Sequence, residues 1–297
     1  MLSILIPTYN YNALPLAEIL EQQALKSGIV FELICMDDGS FSQHNKQNQQ
    51  INSLTNSKFL ENRKNVGSKA NRQRLAEQAQ YKWLLFIDAD SEPKSPDYLS
   101  NYIKEINSDN DAIFGGFAYY DCLIDNKNTL RYTFGKQREE VDASIRNKNP
   151  YKVIISANFL IKRSVYLGIS NQENINIYGL DYLFSAQLKE NSIKVKHINN
   201  EVFHLGLDSN DKFLKKTRNA VEALYYIWQS GQIKNHNISL LHAYKILKSI
   251  GTKQPLAWLF KKIEGRIEKN LKGNNPNLFL FDIYRIGYLC SLNSQNQ

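Results

Sequence analysis

Short apolar runs, each closed by a polar or acidic loop and separated by a helix-length segment, constrain this chain more than any other feature. Leu2–Ile6, Val30–Met36, Lys58–Leu60 and Trp83–Ile87 are strand candidates. Between them, Ala13–Lys26 has apolar spacing suited to a helix, and Ser68–Gln80 offers Ala70, Leu75, Ala76 and Ala79 to one helical face. Strands that alternate with helices predict βαβ units and a mostly parallel sheet, an α/β fold. The runs are continuous rather than alternating, so both faces of the sheet are expected to be covered by helices. Further strands are expected at Ala112–Phe117, Val153–Ile155 and Ile193–Ile198, with a helix near Tyr182–Glu190. From Asp211 onward the pattern is almost wholly helical. Leu214, Ala220, Ala223, Leu224 and Ile227 set a long helix that ends near Gly231, and later helices break around Gly251–Pro255 and Gly273–Pro276. The expected organisation is one α/β domain over residues 1–210 and a helical C-terminal region over 211–297 packed on it.

A chain of 297 residues, 42% apolar and 22% charged, has ample material for a core and the composition of a soluble globular protein. No run approaches the ~20 apolar residues that a membrane-crossing helix needs. The apolar opening Met1–Ile6 is too short for a secretory signal and lacks a basic segment before it. Cys35, Cys122 and Cys290 are an odd set without CxxC spacing, which argues against a disulfide framework or a zinc site. A reducing compartment, the cytoplasm, is therefore expected. The net charge of +8 is unevenly placed: Lys212–Gln297 holds 14 Lys and Arg against 4 Asp and Glu.

Ligands of open α/β sheets bind beyond the carboxyl ends of the strands. Three of the strands end in Pro7-Thr8-Tyr9-Asn10, Asp37-Asp38-Gly39-Ser40 and Asp88-Ala89-Asp90. In a parallel sheet these loops share one edge. Taken alone, Asp38-Gly39-Ser40 reads as a capped turn and Asp88-x-Asp90 as a helix cap. Together they crowd carboxylates that repel unless a cation or donor offsets them. Hard ions such as Mg²⁺ and Mn²⁺ suit such oxygens and share phosphate oxygens readily. A diphosphate held by such an ion is a good leaving group.

Pro7-Thr8-Tyr9-Asn10, Asp37-Asp38-Gly39-Ser40, Asn65-Val66-Gly67 and Leu85-Phe86-Ile87-Asp88-Ala89-Asp90 resemble the successive motifs of family-2 glycosyltransferases with the GT-A fold. The resemblance implies a metal-dependent inverting transfer from a nucleotide diphosphate sugar, with uridine the expected nucleoside, to a saccharide or lipid-linked acceptor. It places Thr8, Tyr9, Asp38, Gly67, Arg72 and Asp88 around the donor, Tyr9 against the base and Asp38 accepting a hydrogen bond from it. Asp90 is implied as a ligand of Mn²⁺ or Mg²⁺, with His204 as a further ligand. Asp181 is implied as the base that takes the acceptor proton. The family often has Asn after the arginine, where this chain has Gln73, and often an acidic pair where this chain has Leu180 before Asp181. Asn158 resembles a segment lining the acceptor side. Arg72 also fits a surface helix residue, Asp181 a helix cap and His204 a structural histidine.

The tail interleaves Trp258, Phe260, Lys261, Lys262, Arg266 and Lys269. Such a helix could rest on anionic lipid at the inner membrane face, or simply present a solvated basic side. No motif supports nucleic-acid binding. A dehydrogenase is excluded because no G-x-G-x-x-G follows the first strand. A nucleotidyltransferase of related fold lacks its glycine-rich loop there, and a catalytically degenerate scaffold is the third reading.

Overall fold

The structure, a computed structural model, describes residues 1–121, 125–170, 181–233 and 236–292. The chain divides into two compact units. The first comprises Met1–Ala118, Glu140–Asn176 and Asn191–Gly206, and the second Tyr119–Glu139, Ile177–Glu190 and Leu207–Gln297.

The first unit is built on a seven-stranded sheet. Its strands in chain order are β1 (Leu2–Thr8), β2 (Phe31–Asp37), β3 (Ser57–Glu61), β4 (Trp83–Ile87), β6 (Ala112–Phe114), β8 (Asn158–Lys162) and β9 (Val195–His197). Three short strands, β5 (Ser91–Pro93), β7 (Phe117–Ala118) and β10 (Val202–His204), form a second sheet in the order β5-β10-β7. The large sheet runs β3-β2-β1-β4-β8-β6-β9, parallel except for β8, which is antiparallel to both its neighbours. All seven residues of β2 and all five of β4 are buried. That burial on both faces is what their unbroken apolar runs require. Helices Leu14–Ser27, Ser68–Gln78, Tyr98–Glu105 and Arg163–Ser170 belong to this unit.

Two strand expectations need correction. Ala112–Phe117 is not one strand but two, interrupted at Gly115-Gly116, where the chain leaves the large sheet for the small one. Val153–Ile155 is not a strand at all, despite three β-branched residues; the pairing partner of β4 begins at Asn158. Tertiary pairing overrides local propensity here.

The second unit is helical, with Asn210–Gln229, Ser239–Ser249, Lys253–Leu271 and Leu278–Ser291 as its longest elements and Asp181–Glu190 among the shorter ones. Ser209 caps the first, accepting from the Lys212 amide, and Asn277 caps the last, accepting from Phe279 N at 2.8 Å. One apolar cluster gathers Leu183, Ala186, Val221, Leu224, Ile227, Leu241 and Tyr244; another gathers Leu130, Leu214, Phe260, Ile267, Leu271 and Phe281. Arg218 donates to Glu264 (2.6 Å), Glu268 (2.7 Å) and the Tyr284 hydroxyl (2.5 Å), tying three helices together. Among the described residues no helix is long and apolar enough to cross a membrane.

Candidate active site

The parallel strands end together. Thr8 lies opposite Asp37, and Asp37 opposite Glu61. The next backbone bonds extend this alignment past the strands: Asp38 N donates to Thr8 O and Asn62 N to Asp37 O, both at 2.9 Å. The loops after β1, β2, β3 and β4 therefore occupy the carboxyl edge of the sheet, as the parallel topology demands. Thr8 is buried and donates to Tyr11 O at 3.3 Å, while Tyr9 beside it is 57% exposed.

The two aspartates after β2 do different things. Asp37 accepts from both the Ser40 amide and the Ser40 hydroxyl, each at 2.7 Å, and so shapes its own turn. Asp38 reaches across to the loop after β3, where Oδ1 accepts from Val66 N (2.8 Å) and Oδ2 from Gly67 N (2.9 Å). Oδ1 also accepts from Asn62 Nδ2 at 3.5 Å, so the further acceptor capacity lies on Oδ2. Gly39 makes the approach possible. Its φ is +65°, and a Cβ there would lie 2.6 Å from Asn65 N and 2.7 Å from Lys64 O. Beneath this contact a buried amide chain runs from Asn62 Nδ2 to Asn71 Oδ1 (2.8 Å) and from Asn71 Nδ2 to Met36 O (3.0 Å).

Gly67 starts the helix Ser68–Gln78, which carries Arg72 to an ion pair with Asp88. The Asp88 amide in turn donates to Ala157 O at 3.0 Å. Gln73 bonds Glu77 on the exposed side of the same helix, so the buried amide of this helix is Asn71, before the arginine rather than after it.

Asp90 and His204 come together because β5, which follows Asp90, pairs with β10, which ends at His204. Leu205 N donates to Asp90 O at 2.9 Å, and Asp90 Oδ2 lies 3.5 Å from His204 Nε2. The imidazole packs on Phe117 with ring centroids 5.1 Å apart. Gly206 leaves room for this carboxylate, since a Cβ there would meet Asp90 Oδ2 and push the side chain from its place beside His204. Burial, and behind it the negative charge of Asp90, raise the Tyr11 phenol above its ordinary value. Two ligands each about 2.1 Å from one ion lie about 3.0–3.4 Å apart at right to tetrahedral angles. At 3.5 Å the carboxylate–imidazole pair is just wider than that span, and a side-chain shift of about 0.1 Å would let both groups share a hard divalent cation. Among the described residues no group of three or more His, Cys, Asp or Glu could complete the shell. Mg²⁺ sites commonly take their remaining ligands from phosphates and water.

Thr8, Tyr9, Asp38, Gly67, Arg72, Asp88, Asp90 and His204 all belong to the first unit; Asp181 is the exposed first residue of helix Asp181–Glu190 in the second. Leu180 lies outside the described residues. The expectation for Asn158 is corrected. It is fully buried, donates to Gly116 O and Asn200 O, and accepts from Tyr98 and Tyr102 hydroxyls at 2.7 Å. With both donors and both acceptors engaged, it closes a core network and has nothing left for an acceptor sugar. The sequence reasoning missed Asp37, Asn62, Asn71 and Tyr11 as parts of the site. An Asn inside the helix Ser68–Gln78, a poor helix former there, was the available signal for Asn71.

The glycosyl transferase family 2 model matches residues 3–168, which spans all of these loops up to Asp90. The chain belongs to that family, and its architecture is the GT-A fold. An uncharacterized glycosyltransferase of Mycoplasma genitalium is 26% identical over 235 residues, covering 74% of this chain and 71% of the relative. Among solved structures, S. aureus TarS 1–349 in complex with UDP-GlcNAc gives a TM-score of 0.52 at 14% identity, over 99% of this chain and 91% of that one. The mannosyltransferase PcManGT of Pyrobaculum calidifontis, in complex with GDP-Man and Mn²⁺, gives 0.53 at 12% identity, over 99% and 86%. Against a longer S. aureus TarS chain the match spans 42% of that chain. At these identities the structures establish the fold.

Proposed function

We infer that this protein is a metal-dependent inverting glycosyltransferase. Its donor is a nucleotide diphosphate sugar, with uridine the expected nucleoside, and its acceptor is a saccharide or lipid-borne hydroxyl in cytoplasmic assembly of a surface polysaccharide or glycolipid. The observation that supports the reading best is the 3.5 Å pairing of Asp90 with His204 in the same unit as the Arg72–Asp88 ion pair and Asp38. A TarS fragment bound to UDP-GlcNAc and a mannosyltransferase bound to GDP-Man and Mn²⁺ share the fold.

Asp90 and His204 would hold Mn²⁺ or Mg²⁺. When bound, such an ion absorbs the charge that grows on the departing diphosphate. The exposed ring of Tyr9 offers a face to the base, and the spare lone pair of Asp38 Oδ2 accepts from it. Thr8 and Gly67 fix the two loops that flank this position. Arg72, oriented by Asp88, adds positive charge for the donor. Asp181 takes the proton of the acceptor hydroxyl as that oxygen bonds the anomeric carbon. The bond from that carbon to the diphosphate oxygen breaks on the opposite side, inverting the configuration.

Isothermal titration with UDP, with and without Mn²⁺, tests the reading. UDP should bind at least tenfold tighter with Mn²⁺, and Asp90→Asn should erase the difference. Equal affinity under both conditions would sink metal dependence. Donor turnover by the same preparation separates an enzyme from a binding scaffold, and release of pyrophosphate from a nucleoside triphosphate would favour nucleotidyl transfer instead.

A further inference from the structure

The helix Lys253–Leu271 sorts its charges by face. Its two acidic residues, Glu264 and Glu268, are held inward by Arg218 at 2.6 and 2.7 Å. Its exposed side carries Trp258, Leu259, Lys261, Lys262, Arg266 and Lys269. At 100° per residue these positions cover a sector of about 160°. None of these four cations makes an ion pair among the described residues, whereas Lys272, one turn further, is paired with Asp211 and Glu268. Trp258 is 61% and Leu259 46% exposed at the N-terminal end of the stripe, and Lys262 lies over the Trp258 ring at 3.7 Å.

We propose that this face docks on an anionic phospholipid bilayer, with the four cations at the headgroups and Trp258 and Leu259 at the headgroup–acyl boundary. Charge complementarity selects an anionic partner, because an unopposed row of cations repels itself until counter-charge arrives. The apolar residues then choose between anionic partners. Leucine has no role in stacking on bases, whereas an indole beside an aliphatic side chain suits the water–lipid boundary, and lysine stems extend along it with their charges in water. Single-stranded nucleic acid is instead gripped by aromatic platforms along a basic groove, and a lone tryptophan at one end of the stripe does not supply them. The proposal concerns the second unit alone and stands apart from the transferase reading, since binding rather than turnover is measured.

The test is co-sedimentation of the full chain with vesicles of phosphatidylcholine alone and with phosphatidylglycerol added, against single-stranded and duplex RNA as competitors. Each cation near such a surface contributes roughly a fivefold factor. The fourfold variant Lys261→Gln, Lys262→Gln, Arg266→Gln, Lys269→Gln should therefore lose on the order of several hundred-fold in affinity for the anionic vesicles. All four positions are exposed, and far-ultraviolet circular dichroism checks that the variant is folded. Trp258→Ser should weaken the binding further without changing its salt dependence. Equal binding by wild type and fourfold variant, equal binding to both vesicle types, or displacement from vesicles by RNA at physiological salt would each overturn the proposal.

Discussion

The carboxyl edge of the large sheet and the apolar clusters of the helical unit are held together in opposite ways. At the sheet edge, placement depends on single atoms: two backbone amides meet one carboxylate at Asp38, and no side chain fits at Gly39. In the helical unit, placement depends on volume, with Leu224, Ile227, Leu241 and Tyr244 sharing one cluster and Phe213 and Phe281 stacked in the other. The first arrangement tolerates no substitution by a residue of similar polarity; the second tolerates any apolar filling of the right size. Asp181 crosses that division, as the residue proposed for proton transfer in the unit otherwise built by packing.

Breaking the comparison at that exception carries the largest expected effect. Asp181→Asn should lower kcat on the order of 10³-fold while the Kd for UDP and Mn²⁺ stays within twofold; a matching loss of nucleotide affinity would remove Asp181 from the base role. Next comes Leu224→Ala, expected to cost about 2–5 kcal/mol in urea unfolding with nucleotide affinity unchanged in the folded protein. Gly39→Ala sharpens the other side: the strained φ and the backbone collision should cost about 1–3 kcal/mol, with UDP affinity falling as well. If its loss of affinity is no larger than that of Leu224→Ala, the sheet edge is not built as described. Acidification gives a similar effect through His197, whose pKa burial first, and Arg146 next, depress to about 4 while a Pro150 carbonyl opposes them. The unfolded chain takes up that proton near pH 6.5 and the folded chain only near 4. The contribution is therefore full above pH 6.5 and is lost as pH falls toward 4, on the order of 1–3 kcal/mol by thermal unfolding. His197→Gln should flatten that part of the profile. The smallest effect belongs to Gly265→Ala in the helix Lys253–Leu271, where nothing lies within 4 Å of an added Cβ. It should stabilise by about 0.5–1 kcal/mol and leave every activity untouched.

The same division governs what could be read from the sequence. The strands that end at the site announced themselves because their apolar runs are unbroken, and Trp83–Ile87 is β4 to the residue. The helical clusters were legible as a pattern of helices, since packing by volume needs only periodicity. What stayed hidden depends on pairing across long sequence distances. Val153–Ile155 has the composition of a strand, yet β8 begins at Asn158 because its partners are Trp83–Ile87 and Ala112–Phe114. Asn158 was expected at the acceptor side by resemblance, and an amide in an apolar segment carries no mark of whether protein or ligand will satisfy it. Asp37 and Asp38 are adjacent and chemically identical, so only the fold separates the one that bends its own turn from the one that fastens a distant loop.

The reversed direction of β8 has a consequence for how such a site is held. Every other strand of the large sheet delivers its end to the carboxyl edge, but β8 delivers its beginning, and Ala157 there holds the Asp88 amide. The stretch from 149 to 157 is therefore an inlet to that edge. It is pinned at Pro150, whose carbonyl meets His197 Nε2 at 2.8 Å, at Tyr151, whose hydroxyl donates to Ile193 O at 2.9 Å, and at Ala157, so a change at any of these three positions loosens a reversed entry that a parallel strand would not need.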